Sequence, residues 1–250
     1  MKMKDRVAIV TGGGQGMGRA IALELAGKGA KICVADLNAE TAGKVAEEIK
    51  ALGIAAIAVK VDVTNLAQCE QMVKDTVAAF GCVDILVNNV GWDKVEPFIN
   101  SEPATWDRVI AINFIGPINC FKAVLPQMIE RKYGKIVSIA SDAGRVGSSG
   151  ESVYSGTKGG VIAFSKTIAR EMARYGINVN VVSPGPTDTP MFQAIAAENP
   201  ALGEGLKKAI PLRRLAQPED IAGAVAFFAS DSASYITGQV LSVSGGLNMV

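Results

Sequence analysis

The segment VYSGTK sets Tyr154 four residues before Lys158, in a 250-residue chain that contains no histidine. Residues four apart on a helix share a face, with Cβ atoms about 5–6 Å apart. A phenol with a pKa of about 10 is a poor proton shuttle at neutral pH. A neighbouring ammonium favours the phenolate, so the spacing predicts a tyrosine whose pKa Lys158 lowers and which exchanges protons without an imidazole. The same spacing also suits a solvated lysine beside a half-buried tyrosine. Without histidine, Ser-His-Asp catalysis and the H-E-x-x-H metalloprotease motif are excluded.

A second constellation lies near the start of the chain. VTGGGQGMGRAIALELA carries Gly12, Gly13, Gly14, Gly16 and Gly18 between a β-branched run and a helical pattern. Glycine lets a backbone approach a ligand closely, and the helix N-terminus that follows offers free N–H groups and a positive dipole end to a pyrophosphate. The pattern is T-G-x-x-x-G-x-G from Thr11 to Gly18. Tight strand-to-helix turns use glycine anyway, so the motif gains weight from Asp36, at the end of the next apolar run. A carboxylate there accepts hydrogen bonds from ribose hydroxyls and repels a 2′-phosphate. No lysine or arginine lies between Gly12 and Gly18 or directly after Asp36. NAD is therefore expected rather than NADP, the alternative being that Asp36 simply caps a strand.

Composition limits the remaining possibilities. Apolar residues make up 49% of the chain, enough for a large core, and the formal net charge is +1 with the charges dispersed. That argues against a nucleic-acid footprint or a polybasic membrane anchor. No uncharged apolar run approaches the roughly 18 residues of a membrane span, so no membrane partner is expected. MKMKDRVAIVTGGG reads as a first strand rather than a signal peptide. Cys33, Cys69, Cys82 and Cys120 form no C-x-x-C pair; no metal site is expected, and buried free thiols point to a cytoplasmic location.

These residues need a scaffold, and the hydrophobic patterning supplies one. β-Branched runs at 6–11, 31–36, 55–62, 83–89, 134–141, 177–184 and 239–245 alternate with helical patterns near 16–28, 39–52, 65–80, 102–130, 152–175 and 218–230. Alternation of this kind predicts right-handed crossovers and an open, mostly parallel α/β sheet of about seven strands, doubly wound with helices on both faces. No linker interrupts it, so 1–250 is read as one domain. The segment 186–217 holds four prolines with weak periodicity, which suits a substrate lid or an ordinary surface excursion.

With TGGGQGMG, NNVG (88–91), Asn113 in AINFIG, Ser141 in SIASDAG, YSGTK and SPGPTDT (183–189) in this order, the sequence resembles the short-chain dehydrogenase/reductase family over essentially its whole length. The resemblance implies a Rossmann-type fold and an NAD-dependent interconversion of a secondary alcohol and a ketone. Tyr154 would be the general acid–base, Ser141 would hold the reacting oxygen, Lys158 would hold the nicotinamide ribose, and Asn113 would place a water linking Lys158 to solvent. The dinucleotide would lie along Gly12, Gln15, Gly16, Met17 and Gly18, with Asp36, Leu37, Asp62 and Val63 at the adenosine end. Asn89 and Gly91 would flank its centre, and Pro184, Gly185, Thr187 and Thr189 the carboxamide and pyrophosphate side. NNVG departs from the usual N-N-A-G, and Val90 is expected to crowd the site slightly.

Stretches outside these motifs, such as GWDKVEPF and ITGQVLSVSGGL, look like the branch of 2-hydroxycyclohexanecarboxyl-CoA dehydrogenases. An acyl-CoA thioester is then the expected substrate, with Trp92, Arg145, Val146 and 186–217 shaping its pocket. Lys207, Lys208, Arg213 and Arg214 would meet CoA phosphates, unless they form a solvated face. A 3-oxoacyl-(acyl-carrier-protein) reductase or a broad ketone reductase shares the same motifs. Asp36 weighs against the former, because such biosynthetic reductases usually take NADPH. A non-catalytic dinucleotide-binding scaffold would typically lack the tyrosine or the lysine. The family also implies a homotetramer.

Overall fold

The computed structural model describes residues 3–198 and 200–250. Its framework is a seven-stranded parallel sheet in the order β3-β2-β1-β4-β5-β6-β7. The strands are β1 (Val7–Thr11), β2 (Lys31–Asp36), β3 (Ala56–Lys60), β4 (Ile85–Asn88), β5 (Gly134–Ile139), β6 (Ile177–Pro184) and β7 (Val240–Val243). Alternate residues of each strand feed opposite faces, as a two-residue repeat requires. On β1, Ala8 and Val10 join a core beneath α1 (Gly16–Gly27), α2 (Ala39–Ala51) and a later helix, Pro218–Ala229. Ile9 points the other way, into a core with Cys69, Phe121, Val124 and Ala169. That second layer comprises α3 (Leu66–Phe80), α5 (Gly116–Arg131) and α7 (Ser152–Met172). Strands buried on both faces need continuous apolar runs, which is what VAIVT and ILVN supply.

Helix ends follow local chemistry. The Asn38 side chain accepts from the N–H groups of Glu40 and Thr41 to start α2, and Asn65 accepts from Gln68 N–H to start α3. Gly81, at φ +89°, ends α3 in the left-handed region that favours glycine. The expected long helix at 102–130 is broken into α4 (Pro103–Ile110), one π turn (Ala111–Ile115) and α5. Together they form a run, Pro103–Arg131, that contains an 18-residue window of mean hydropathy 1.5 and is, by length and composition only, apolar enough to cross a membrane. The expectation that no uncharged apolar run approaches about 18 residues stands, because Asp107, Arg108, Lys122, Glu130 and Arg131 interrupt this helix. In the fold the run lies against the sheet, with Cys120, Phe121, Val124 and Met128 in the core. Truncating Phe121, which is fully buried, would cost about 3–5 kcal/mol.

Three short helices were not legible in the sequence: α6 (Ala143–Val146), α8 (Pro190–Glu198) and α9 (Pro200–Ala209). The last two occupy the proline-rich 186–217 segment. There Pro190 and Pro200 stand at first helical positions, where a missing N–H costs nothing. The final helix, α10 (Pro218–Ala229), starts with Pro218 inside a Gln217–Asp220 capping box.

Candidate active site

β1 and β4 are neighbours in the sheet, yet the chain leaves their C-terminal ends in opposite directions, toward β2 on one side and β5 on the other. Such a reversal opens a crevice at the strand ends where ligands bind in open α/β sheets. A cavity of about 640 Å³ lies there.

Its floor is the glycine turn. Gly12 and Gly16 have φ of +61° and +51°, and a Cβ on Gly18 would overlap the Gly12 carbonyl oxygen. Only glycine allows β1 and α1 to approach this closely. Unlike α2 and α3, α1 has no side-chain cap, and it has no acid in its first turn, so its leading N–H groups are free for an anion. Gly12, Gln15, Gly16 and Met17 line the cavity, while Gly18 lies beneath it. Asn89 donates to the carbonyls of Thr11 (3.1 Å) and Gly12 (3.2 Å), and its own Oδ1 is buried without a partner beside the cavity. A glycine cradle, an uncapped helix N-terminus and an unsatisfied amide oxygen together fit a dinucleotide.

At one end of the cavity, Asp36 Oδ2 accepts from Gly14 N–H at 2.9 Å and Oδ1 from Asn38 N–H at 3.0 Å. The strand-capping role and the ligand role therefore coexist, since two backbone bonds leave about two of a carboxylate's four acceptor positions unused. Leu37, Asp62 and Val63 line the same end, where Asp62 Oδ1 is engaged by the N–H and hydroxyl of Thr64. Val90, expected to crowd the site, lines the cavity beside Gly12 and also packs against the core on the α3–α5 face.

At the other end are Tyr154 and Lys158, on the first turns of α7. Lys158 is 2% exposed, lies 5.5 Å from the Tyr154 ring centre and donates to the Ile139 carbonyl at 3.0 Å. Burial pulls its ammonium down to about 8, opposed by the Asp93 carboxylate. Burial also pushes the Tyr154 phenol above its usual range, followed by the carboxylates of Glu151 and Asp93, while a hydrogen bond with Ser141 acts in the opposite direction. The depressed tyrosine pKa expected from the spacing is thus reversed, because desolvation and two carboxylates outweigh the nearby ammonium. Ser141 Oγ accepts from Ala143 N–H at 3.1 Å.

Asn113 lies behind this pair, fully buried in the π turn. Its Oδ1 accepts from Trp92 N–H at 3.2 Å, and its Nδ2 donates to the carbonyls of Trp92 (2.6 Å) and Val109 (2.9 Å). The amide clamps the loop after β4 to the helix, so the side chain is largely committed to positioning that loop. Thr189 lines the cavity and caps α8 by accepting from Phe192 N–H. Pro184, Gly185 and Thr187 stand outside the cavity wall, with Thr187 Oγ1 donating to the Gly185 carbonyl at 2.9 Å.

The residues expected to shape an acyl pocket divide. Trp92 lines the cavity, but Arg145 is committed to the Ser242 hydroxyl and Val146 is half exposed to solvent. Lys207 pairs with Glu204, Arg214 pairs with Asp220, and Arg213 donates to the Lys208 carbonyl, around a separate cavity of about 430 Å³. Lys208 lies outside that wall. Sequence reasoning missed Arg108, stacked 3.9 Å from the Trp92 ring at the cavity wall, and also Asp93 and Glu151. An acid one turn before Tyr154 was the available signal for Glu151.

The comparisons agree with this geometry. Residues 12–248 match the family model described as enoyl-(acyl carrier protein) reductase. The chain is 42% identical over 250 residues to the 3-oxoacyl-[acyl-carrier-protein] reductase FabG of Staphylococcus aureus (strain N315), covering all of both chains. It is 38% identical over 249 residues to the (2S)-[(R)-hydroxy(phenyl)methyl]succinyl-CoA dehydrogenase subunit BbsD of Thauera aromatica, covering 100% of this chain and 99% of that one. The crystal structure of levodione reductase superposes with a TM-score of 0.94 at 34% identity, covering 98% of each chain. With its seven-stranded sheet and its glycine cradle, the chain belongs to the short-chain dehydrogenase/reductase family and is an oxidoreductase acting on CH–OH groups.

Proposed function

We propose that the chain is an NAD(H)-linked enzyme that interconverts a 3-oxoacyl thioester and the corresponding 3-hydroxyacyl thioester. One observation carries the reading: Asp36 and the Tyr154–Lys158 pair line a single cavity, one at each end. The wall that Asp36 and Leu37 contribute has no basic side chain to neutralise a 2′-phosphate, which supports NAD(H). The thioester is supported by the names of the relatives, which act on an acyl-carrier-protein thioester and a CoA thioester. Those names favour a 3-oxoacyl thioester over the cyclic 2-hydroxycyclohexanecarboxyl-CoA expected from sequence.

In reduction, the Tyr154 hydroxyl gives its proton to the substrate carbonyl oxygen. Ser141, whose oxygen already accepts from Ala143 N–H, keeps its own O–H to donate to that same oxygen as charge develops. Lys158 would hold the nicotinamide ribose, and its ammonium lies 5.5 Å from the centre of the Tyr154 ring. Asn113 holds the loop that carries Gly91 and Trp92 in register with the pair. Hydride exchange is the chemistry that bound NAD(H) supplies. Oxidation reverses these roles.

The 186–217 segment serves as the lid over the acyl end, a role supported by Pro190 and Met191 in the cavity wall. Residues 1–250 act as one domain, and the enzyme is a cytoplasmic homotetramer. The tetramer is supported by apolar side chains on the outer face of α4 and the π turn, Ile110 and Ile115, and by Tyr235, Leu241 and Met249 near the C-terminus, all left exposed in the single chain.

Initial rates test the reading. NADH and NADPH are compared with a linear 3-oxoacyl-CoA, the same acyl group on acyl carrier protein, 2-oxocyclohexanecarboxyl-CoA and simple ketones. The expected result is at least a tenfold preference for NADH and for linear thioesters. A strong NADPH preference overturns the cofactor assignment, and turnover of simple ketones alone overturns the thioester.

A further inference from the structure

Ser141 is set between two backbone bonds to β6. Ala140 N–H donates to the Val182 carbonyl at 2.9 Å, and Asp142 N–H donates to the Pro184 carbonyl at 3.1 Å. Asp142 lies outside the cavity wall and is 3% exposed. A carboxylate buried to that degree needs partners for its oxygens, and they come from β7 and the segment after it. Oδ1 accepts from the Ser242 hydroxyl, and Oδ2 accepts from the Asn248 amide at 3.2 Å. The Ser242 oxygen in turn accepts from the Arg145 guanidinium. Asp142 stands at the N-cap of α6, yet its side chain makes no capping bond there. Its carboxylate is spent on the segment 242–248.

Both flanks of this network are pinned. On one side α6 lies against α7, where a Cβ on Gly144 would come within 2.6 Å of the Lys158 carbonyl carbon. On the other side the Gly245 carbonyl accepts from Leu212 N–H at 3.1 Å, and Ser244 Oγ accepts from Asn248 N–H at 3.3 Å. Gly245 and Gly246 have φ of +62° and +87°. This left-handed turn, which glycine permits, brings Asn248 back to Asp142.

We propose that Asp142 is a positioning residue that acts through Ser141, and that Asn248 and Ser242 hold it in place. The inference rests on the role given to Ser141 above and extends the machinery to the segment after β7. Ser141 and Ala143, whose N–H orients the Ser141 oxygen at 3.1 Å, stand on either side of Asp142. A carboxylate released from its partners therefore lets both the hydroxyl and the group that aims it move. A small displacement there weakens the hydrogen bond that Ser141 gives to developing charge. The cofactor cradle, built from other elements, is left as it was. No atom of Asp142 enters the reaction.

A double-mutant cycle tests this, read as the single-turnover rate of NADH oxidation by a linear 3-oxoacyl-CoA. Asn248→Ala and Ser242→Ala each remove one partner of the carboxylate and leave Asp142 itself in place. Each should lower the rate about tenfold, while fluorescence titration shows NADH bound within about twofold of the wild-type Kd. Ser242→Thr, which keeps the hydroxyl, should restore most of the rate. In a Ser141→Ala background, Asn248→Ala should lower the rate no further, because the group it helps to aim is already gone. A merely structural role lowers the rate by the same factor in both backgrounds, and that outcome overturns the proposal. Wild-type rates in both Asn248→Ala and Ser242→Ala overturn it as well. If Ser141→Ala alone keeps the wild-type rate, the role of Ser141 fails first and takes the proposal with it, so the two claims are told apart within one cycle.

Discussion

The Lys158 ammonium sits 5.5 Å from the centre of the Tyr154 ring, yet its hydrogen bond goes to the Ile139 carbonyl at 3.0 Å rather than to the phenol. Lys158 is therefore held by the end of β5 rather than by the phenol, and its charge is not among the influences that shift Tyr154. Burial, with the carboxylates of Glu151 and Asp93, holds the phenol in its protonated form. The site rests in the form that reduces a ketone.

Burying that ammonium has a cost that Lys158→Met should reveal. A group with its folded pKa near 8 and its unfolded pKa near 10.5 binds fewer protons in the native state between those values, so stability rises with pH across that window. Below pH 8 the full penalty is present. Lys158→Met should accordingly raise the stability of the ligand-free protein by about 1–3 kcal/mol at pH 7, with the gain shrinking toward pH 10, while turnover is lost. Denaturant unfolding at pH 7 and pH 10 checks the sign.

Asp93 has the opposite linkage. Its carboxyl holds a proton in the folded state up to about pH 7 but releases it near pH 4 when unfolded, so stability is lost as pH rises from 4 to 7. Partial solvent access trims the effect to about 1–2 kcal/mol. Asp93→Asn should match the wild type at pH 4 and exceed it at pH 8, as read by thermal melts at the two values.

Asp36 should govern cofactor choice. Asp36→Asn should raise the KM for NADH about tenfold through weakened hydrogen bonds to the ribose. Adding Leu37→Arg should bring NADPH to parity or beyond, since the side chain is exposed at the cavity wall. Steady-state kinetics with both cofactors decides.

The glycine cradle should respond position by position. A Cβ on Gly18 collides with the Gly12 carbonyl oxygen, whereas one on Gly27, in the last turn of the same helix, meets nothing within 4 Å. Gly18→Ala should cost about 3 kcal/mol or more and abolish NADH binding. Gly27→Ala should leave binding unchanged. Fluorescence titration with NADH and chemical unfolding separate the two.

Much of this architecture was legible because periodicity and local chemistry pointed the same way. The apolar runs at 31–36 and 177–184 are the observed β2 and β6, residue for residue. The cavity gathers Gly12, Asp36, Asn89, Tyr154 and Lys158 as the motifs implied. What escaped depended on three dimensions. α8 and α9 were hidden by prolines that turn out to begin helices. The direction of the Tyr154 shift was missed because spacing reveals the ammonium but neither the burial nor Asp93, which arrives from a distant loop. The basic side chains at 207–214 could not be known to be already paired with Glu204 and Asp220.

Proton exchange at Tyr154 is the centre of this account, and single-turnover kinetics of Tyr154→Phe test it most directly. The variant, mixed with NADH and a 3-oxoacyl-CoA, should bind NADH as tightly as the wild type and oxidise it 10²–10⁴-fold more slowly. A variant that binds NADH normally and retains most of the wild-type rate would contradict it.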